Sequence, residues 1–417
     1  MRPPVHLTAD ACIKCTVCTT ACPVTPHETG FAGPKFAGPE LWRILDEGGA
    51  GDPDLEARLD GCLNCQLCQH ACPHGVPVAH LIAWNRDRLK RTPPVLRDRL
   101  LGRPDRLGRM LAPARPLVGR VWGHPRARRA AARVMGLSPD RPLPLPVKPD
   151  LRAWFRAHRV ERVLPVRSEP VTLYVDCQSG AFDPGPAVAA VRLLERLGYD
   201  VALSPPRPGC CGAAWVSAGR PSRAVALAQA GVGALAPAIA SGGPILSLNS
   251  TCGPTVGLEW HRLLGIEGAA VLAERVMDLM TFLARRVTPQ ELRAVVPDRS
   301  GQRIAYHATC RMQGQGGGMA PEVLSAVGGT VVRLGIACCG MAGAYGNKAE
   351  HVATSLAVAQ DAARRLARAR AEGIRTVATD SGTCGWQLQL VSGLPTVHPV
   401  EALMAETSWG ADPAPRA

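Results

Sequence analysis

Two copies of one cysteine string open the chain. Cys12, Cys15, Cys18 and Cys22-Pro23 form a C-x2-C-x2-C-x3-C-P run, and Cys62, Cys65, Cys68 and Cys72-Pro73 repeat the spacing. Three thiolates within seven residues can wrap one corner of an iron–sulfur cubane. In two-cluster chains with this spacing the fourth cysteine, followed by proline, ligates the other cluster. Cys12, Cys15, Cys18 and Cys72 are therefore assigned to one [4Fe–4S] cluster, and Cys62, Cys65, Cys68 and Cys22 to a second. C-x2-C pairs also bind zinc, but zinc does not call for a cross-shared Cys-Pro. Nothing resembling a secretion signal precedes Cys12, so disulfides and an oxidising compartment are not expected.

The other eight cysteines are doubled as well. Cys177, Cys210-Cys211-Gly212 and Cys252-Gly253 form one set, and Cys310, Cys338-Cys339-Gly340 and Cys384-Gly385 the other. The gaps are 32 then 40 residues in the first set and 27 then 44 in the second. Equal order with varying gaps predicts two homologous units with different loops. A short β-rich run precedes each cysteine group: 171–176, 199–203 and 244–249 in the first copy, 303–307, 330–334 and 375–379 in the second. Helical stretches at 188–197, 222–240 and 349–371 separate them. Strands alternating with helices predict a parallel sheet, whose ligands bind beyond the carboxyl ends of the strands. The cysteines of each copy should therefore converge at one rim as metal ligands. The alternative is buried apolar cysteines, which an adjacent Cys-Cys-Gly in both copies disfavours.

These elements divide 417 residues into an α-helical ferredoxin-like domain at 1–92, a linker at 93–168 and α/β units at 169–296 and 297–417. The fold class is thus mixed α+β and α/β, with two parallel sheets. No uninterrupted apolar run has the length of a membrane helix. The longest candidate, 224–240, is rich in Ala and Gly and reads as a buried helix. Between Arg86 and Arg167 there are 22 Arg/Lys against 6 Asp/Glu, a net of +16 in a chain of net +14. Pro93, Pro94, Pro104, Pro113, Pro116 and Pro125 lie in this segment, so short amphipathic helices rather than a long one are expected. Apolar groups such as Leu117, Val118, Val121 and Trp122 beside Arg115 and Arg120 suit an anionic membrane surface or a contact between subunits. The alternative is a solvated basic arm packing on the chain's own acidic surface or on a partner subunit. Nucleic acid is not expected, because aromatic interleaving is sparse.

The run from Cys12 to Pro23, followed by Gly33-Pro34-Lys35 and Ala37-Gly38-Pro39, resembles the start of the family of C subunits of anaerobic glycerol-3-phosphate dehydrogenase. Cys338 to Gly346, Thr379-Asp380 through Cys384 to Gln387, and His398-Pro399 resemble that family's second cysteine-rich domain. The architecture is also similar to the iron–sulfur subunit of glycolate oxidase and to heterodisulfide reductase subunits with paired cysteine-rich (CCG) domains. In those relatives the motif ends in C-x-x-C. Here Asn249 and Ser381 stand where its earlier cysteine would be, leaving four cysteines per copy.

The resemblance implies an electron-transfer subunit that takes electrons from a flavoprotein oxidising glycerol 3-phosphate and delivers them to membrane quinone. It implies a cytoplasmic protein, peripheral on the inner membrane. Its cofactors would be two [4Fe–4S] clusters, with one or two further iron–sulfur clusters, or zinc, in the CCG domains. The alternatives are the iron–sulfur subunit of a glycolate or lactate oxidase and a self-contained thiol/disulfide reductase, the latter disfavoured by the absent cysteines. Quinone reduction also needs protons, which makes His307 and His398 candidate catalytic residues, with Tyr306 and Arg311 beside them in sequence.

Overall fold

The structure is a computed structural model that describes residues 3–405, apart from 5, 50–53, 91, 142–143, 162–168, 208 and 315. The last turn of the basic segment, with Arg162 and Arg167, lies outside the described residues. The N-terminal unit is helical, and each cysteine run folds the same way. Lys14 and Thr16, and fifty residues later Asn64 and Gln66, have left-handed backbone at φ 62°, 72°, 50° and 68°. Side-chain-bearing residues avoid this region. Its recurrence in two runs that share little besides cysteine marks a path dictated by the sulfurs. The short helices Val17–Thr20 and Leu67–His70 follow these turns and pack on each other. The helix Val78–Leu89 lies beneath both and is buried from Val78 to Arg86.

Two four-stranded sheets make up the rest. In the first, β1 (Glu169–Leu173), β2 (Tyr199–Leu203), β3 (Ile245–Ser247) and β4 (Val276–Asp278) are ordered 2-1-3-4 and all parallel. In the second, β5 (Arg303–His307), β6 (Thr330–Arg333), β7 (Val377–Thr379) and β8 (Thr396–Val397) repeat that order, again all parallel. The edge strands β4 and β8, three and two residues long, were not expected. The helix Ser222–Ala240 has the length and hydropathy of a membrane span. It instead packs Gly231 onto Trp260, where an added Cβ would lie 2.1 Å from the ring. Core side chains of both sheets merge into one cluster that includes Leu173, Phe282, Tyr306 and Leu403.

The basic segment departs from expectation. A 20-residue helix, Pro104–Gly123, runs through Pro113 and Pro116. Both prolines are exposed, so the carbonyls they leave without an N–H donor face water rather than a core, and the helix continues. The segment packs on its own chain, in part on acidic side chains, as the arm reading expects. Gly108 sits against Ala181 and Phe182, and an added Cβ would lie 2.9 Å from Ala181 Cβ. Arg97 pairs with Glu350 at 2.6 Å, and Asp98 with Lys348 at 2.9 Å. The segment thus straps the first sheet unit to the second.

Candidate functional site

The two N-terminal runs enclose two hollows. Cys12, Cys15, Cys18 and Cys72 line one, with Pro73 at its wall. Cys62, Cys65, Cys68 and Cys22 line the other. Each hollow therefore meets three cysteines of one run and the fourth of the other. The first opens to solvent at Cys15, whereas no cysteine of the second is exposed. Burial pushes the Cys62 thiol up to about 12 and raises Cys68 as well. Sulfur held this way binds protons or metal rather than sitting as free thiolate. The αL turns also direct backbone N–H groups inward, as in the concavities that hold iron–sulfur centres. Four sulfurs per hollow and an otherwise apolar lining fit a cubane.

In the sheet units all eight remaining cysteines come together at the carboxyl ends of the strands. The chain of contacts is the same twice. Cys177 meets Cys210, and Cys211 meets Cys252 at 3.4 Å. Cys310 meets Cys338, and Cys339 meets Cys384 at 3.0 Å. Gly212 at φ +91° and Gly340 at φ +82° let the adjacent pair turn into the rim. A Cβ on Gly340 would lie 2.4 Å from the Ser355 carbonyl oxygen, so only glycine fits that approach. In each copy one thiol of the pair is pushed toward thiolate. Side-chain hydrogen bonds with Cys177 and Cys211 lower the Cys210 pKa, and those with Cys338 and Cys384 lower that of Cys339. Asn249 and Ser381 do different work: the Asn249 carboxamide oxygen accepts from Thr251 N at 2.9 Å, and Ser381 bonds Thr383 at 3.0 Å.

The hollows and the rims touch. The Cys338 thiol donates to Cys65, which lowers the Cys65 pKa. Behind them lies a buried polar group that composition and spacing did not reveal. Arg311, after Cys310, grips Glu259 at 2.5 and 3.1 Å. Glu259 also accepts from Thr255 at 3.0 Å and from the side chain of Gln66, within the second cysteine run. Burial pushes the Glu259 carboxyl up, but the Arg311 guanidinium outweighs it and holds the group below its usual range. Three cysteine groups thus converge on one ion pair contributed by both repeats. Asp105 and Arg103 reach the neighbourhood of Cys210. Arg141 reaches that of Cys339, bonding Gln387 and, at 3.0 Å, Ser355.

The candidate proton carriers separate. His398 is buried with both ring nitrogens engaged: Nδ1 accepts from Val400 N at 3.2 Å and Nε2 meets the Leu248 carbonyl at 2.8 Å. It caps the helix Pro399–Met404 and ties it to the end of β3, so the proton-handling role is not kept for it. Arg311 is consumed by Glu259. Tyr306 donates to Asp380 at 2.5 Å, and burial raises the Asp380 carboxyl to about 7. Only His307 faces sulfur, beside Cys339 and Cys384.

A 4Fe-4S dicluster domain matches residues 8–76, and a cysteine-rich domain matches residues 171–256 and again 304–389. The C subunit of the anaerobic glycerol-3-phosphate dehydrogenase of Escherichia coli K12 is 29% identical over 395 residues, covering 94% of this chain and 97% of that protein. Its counterpart in Escherichia coli O157:H7 matches equally. With two sulfur-lined hollows before two sulfur-rimmed sheets, the chain carries a 4Fe-4S dicluster domain followed by paired cysteine-rich domains, and it is similar over nearly its whole length to the C subunit of anaerobic glycerol-3-phosphate dehydrogenase.

Proposed function

We propose that this chain is the electron-transfer subunit of a glycerol-3-phosphate dehydrogenase complex, taking electrons from a flavoprotein partner and handing them to membrane quinone. The contact of Cys65 with Cys338 carries the reading, because it joins the dicluster domain to the second repeat through sulfur. The similarity to a protein of anaerobic glycerol-3-phosphate dehydrogenase supports the donor. The clusters supply one-electron transfer when bound; the residues hold, insulate and orient. Cys12, Cys15, Cys18 and Cys72 would hold one cluster and Cys62, Cys65, Cys68 and Cys22 the other, with the eight remaining cysteines holding the centres of the repeats. The partner would dock where Cys15 is exposed, against Ile13 and Val17, which stand 62% and 40% exposed. Phe31, Leu63 and Ile82 line the second hollow.

The quinone end would lie at the second repeat, at the cytoplasmic face of the inner membrane. Leu117 and Val134, 61% and 88% exposed, stand on the basic helices with the exposed Arg120, Arg126, Arg129 and Arg133. Apolar groups rimmed by arginine suit an anionic bilayer. Stopped-flow reduction with the flavoprotein and a menaquinone analogue tests the route. Cys339→Ser is expected to abolish quinone reduction while the dicluster domain stays reducible, and Cys211→Ser to slow it less. Full turnover in Cys339→Ser would remove the second repeat from the route.

A further inference from the structure

The two cysteine-rich repeats differ at one matched position. His307 ends β5, three residues before Cys310, and Tyr174 stands three residues before Cys177. His307 is 1% exposed, and neither Nδ1 nor Nε2 has a nitrogen or oxygen partner; the ring interacts instead with the Cys339 sulfur. A buried polar group left so is costly and calls for an explanation. What the ring meets is sulfur. One ring nitrogen, Cys339 Sγ and Cys384 Sγ all lie within 4.8 Å of one another, with the two sulfurs 3.0 Å apart. Ligand atoms around one tetrahedral ion, with metal–sulfur near 2.3 Å and metal–nitrogen near 2.0 Å, sit roughly 3.5–3.8 Å apart, so this triad closes on a single metal atom with small adjustment.

Tyr174 offers no equivalent. Its phenol is buried among Cys210, Cys211 and Cys252 and carries no imidazole nitrogen. A phenol is a poor ligand, whereas neutral imidazole is a good one for the borderline metals that thiolates also take.

We propose that His307 is a metal ligand, binding one metal atom together with Cys339 and Cys384, so that the second repeat holds its centre with a mixed imidazole–thiolate set and the first with thiolates alone. The inference rests on the reading that the repeats bind metal. It gives the two repeats different electronics, since imidazole in place of thiolate removes a negative charge and raises a reduction potential. Where the metal is the iron of a cluster, the second repeat is thereby the better electron acceptor of the two, whereas zinc, with no redox chemistry, would accept none. The metal is of the kind that accepts both ligand types, an iron of a cluster or a zinc ion, and the measurement separates these.

The full chain is isolated anaerobically from cells fed natural-abundance or 15N-labelled histidine. If the metal is iron, pulsed EPR of the reduced protein is expected to show a nitrogen coupling that changes with the label. If it is zinc, absorption at the zinc edge is expected to show a nitrogen at about 2.0 Å beside sulfur at about 2.3 Å. His307→Ala is expected to lose the nitrogen signal and the metal of one centre, and Tyr174→Phe to lose neither. The labelled wild-type measurement stands even if His307→Ala does not fold. Sulfur-only shells with no histidine coupling, or a nitrogen signal that survives in folded His307→Ala, would overturn the ligation while leaving metal in the repeats. Metal content confined to the dicluster domain, unchanged in Cys339→Ser and Cys211→Ser, would overturn the inference and the reading beneath it together.

Discussion

Glu259 and Arg311 are the residues on which the packing of the sites turns. Each comes from a different repeat, and their side chains are 4% and 5% exposed. Breaking a buried pair by removing one charge typically costs about 3–5 kcal/mol, whereas replacing both with apolar groups is often neutral. Glu259→Leu should therefore lower the thermal midpoint of the anaerobic protein sharply, and Glu259→Leu with Arg311→Met should recover most of the loss. A double variant no more stable than the single would mean that the pair does more than balance charge. His398 makes a second residue-level expectation, in pH. Burial lowers its pKa to about 4, against about 6.5 in an unfolded chain. The unfolded state takes up the proton first, so the stability that His398 contributes is present above about pH 6.5 and is lost as the pH falls through about 4, a few kcal/mol in all. His398→Asn should flatten the fall in thermal midpoint between pH 7.5 and 5 by part of its depth, because His80, also held near 4 by burial, keeps its own share. An unchanged slope would show that the capping histidine is not a source of acid sensitivity.

At the scale of elements the basic segment repays closest attention. Proline spacing predicted short pieces, yet a helix spans Pro104–Gly123 because its two internal prolines face solvent. Spacing also could not separate arginines that bind the chain's own acids from those that do not. Arg97 and Arg103 are engaged with Glu350 and Asp105, whereas Arg120, Arg126, Arg129 and Arg133 stand exposed. Each arginine near an anionic leaflet is worth about 1 kcal/mol, screened by salt. Charge reversal of those four should weaken binding to anionic vesicles by orders of magnitude at low salt and little at high salt. Reversal of Arg97 should instead loosen the contact between the segment and the second repeat. Equal vesicle binding by wild type and the fourfold variant would make the helices a contact for protein rather than lipid.

For the molecule as a whole the question is which sulfurs act together. Cys72→Ser should damage the cluster assigned to Cys12, Cys15 and Cys18, although Cys72 lies fifty or more residues from them in sequence. EPR of the reduced variant should lose one of two cubane signals, and the survivor should be the one lost in Cys65→Ser. Loss of the same signal in both variants would make each run self-sufficient. The shared core supports coupling on this scale, since Cys18, Cys68, Cys211, Cys252 and Cys338 lie in one buried cluster.

Much of this was legible in the residues. Cysteine spacing determines how many metal-binding loops the chain can make, because three thiolates must reach one cluster from a short stretch of backbone. The alternation of β-rich runs with helices determined parallel sheets, and β1, β2, β3, β5, β6 and β7 fall where that alternation places them. What spacing cannot carry is contact between segments far apart in sequence. Gln66, Glu259 and Arg311 come from three units and look in sequence like ordinary surface residues; only docking of the units buries them together. The same holds for His307 and His398. Both read alike as histidines near a cysteine motif, and the tertiary structure separated them by what lies opposite each ring: a carbonyl and an N–H for one, two sulfurs for the other.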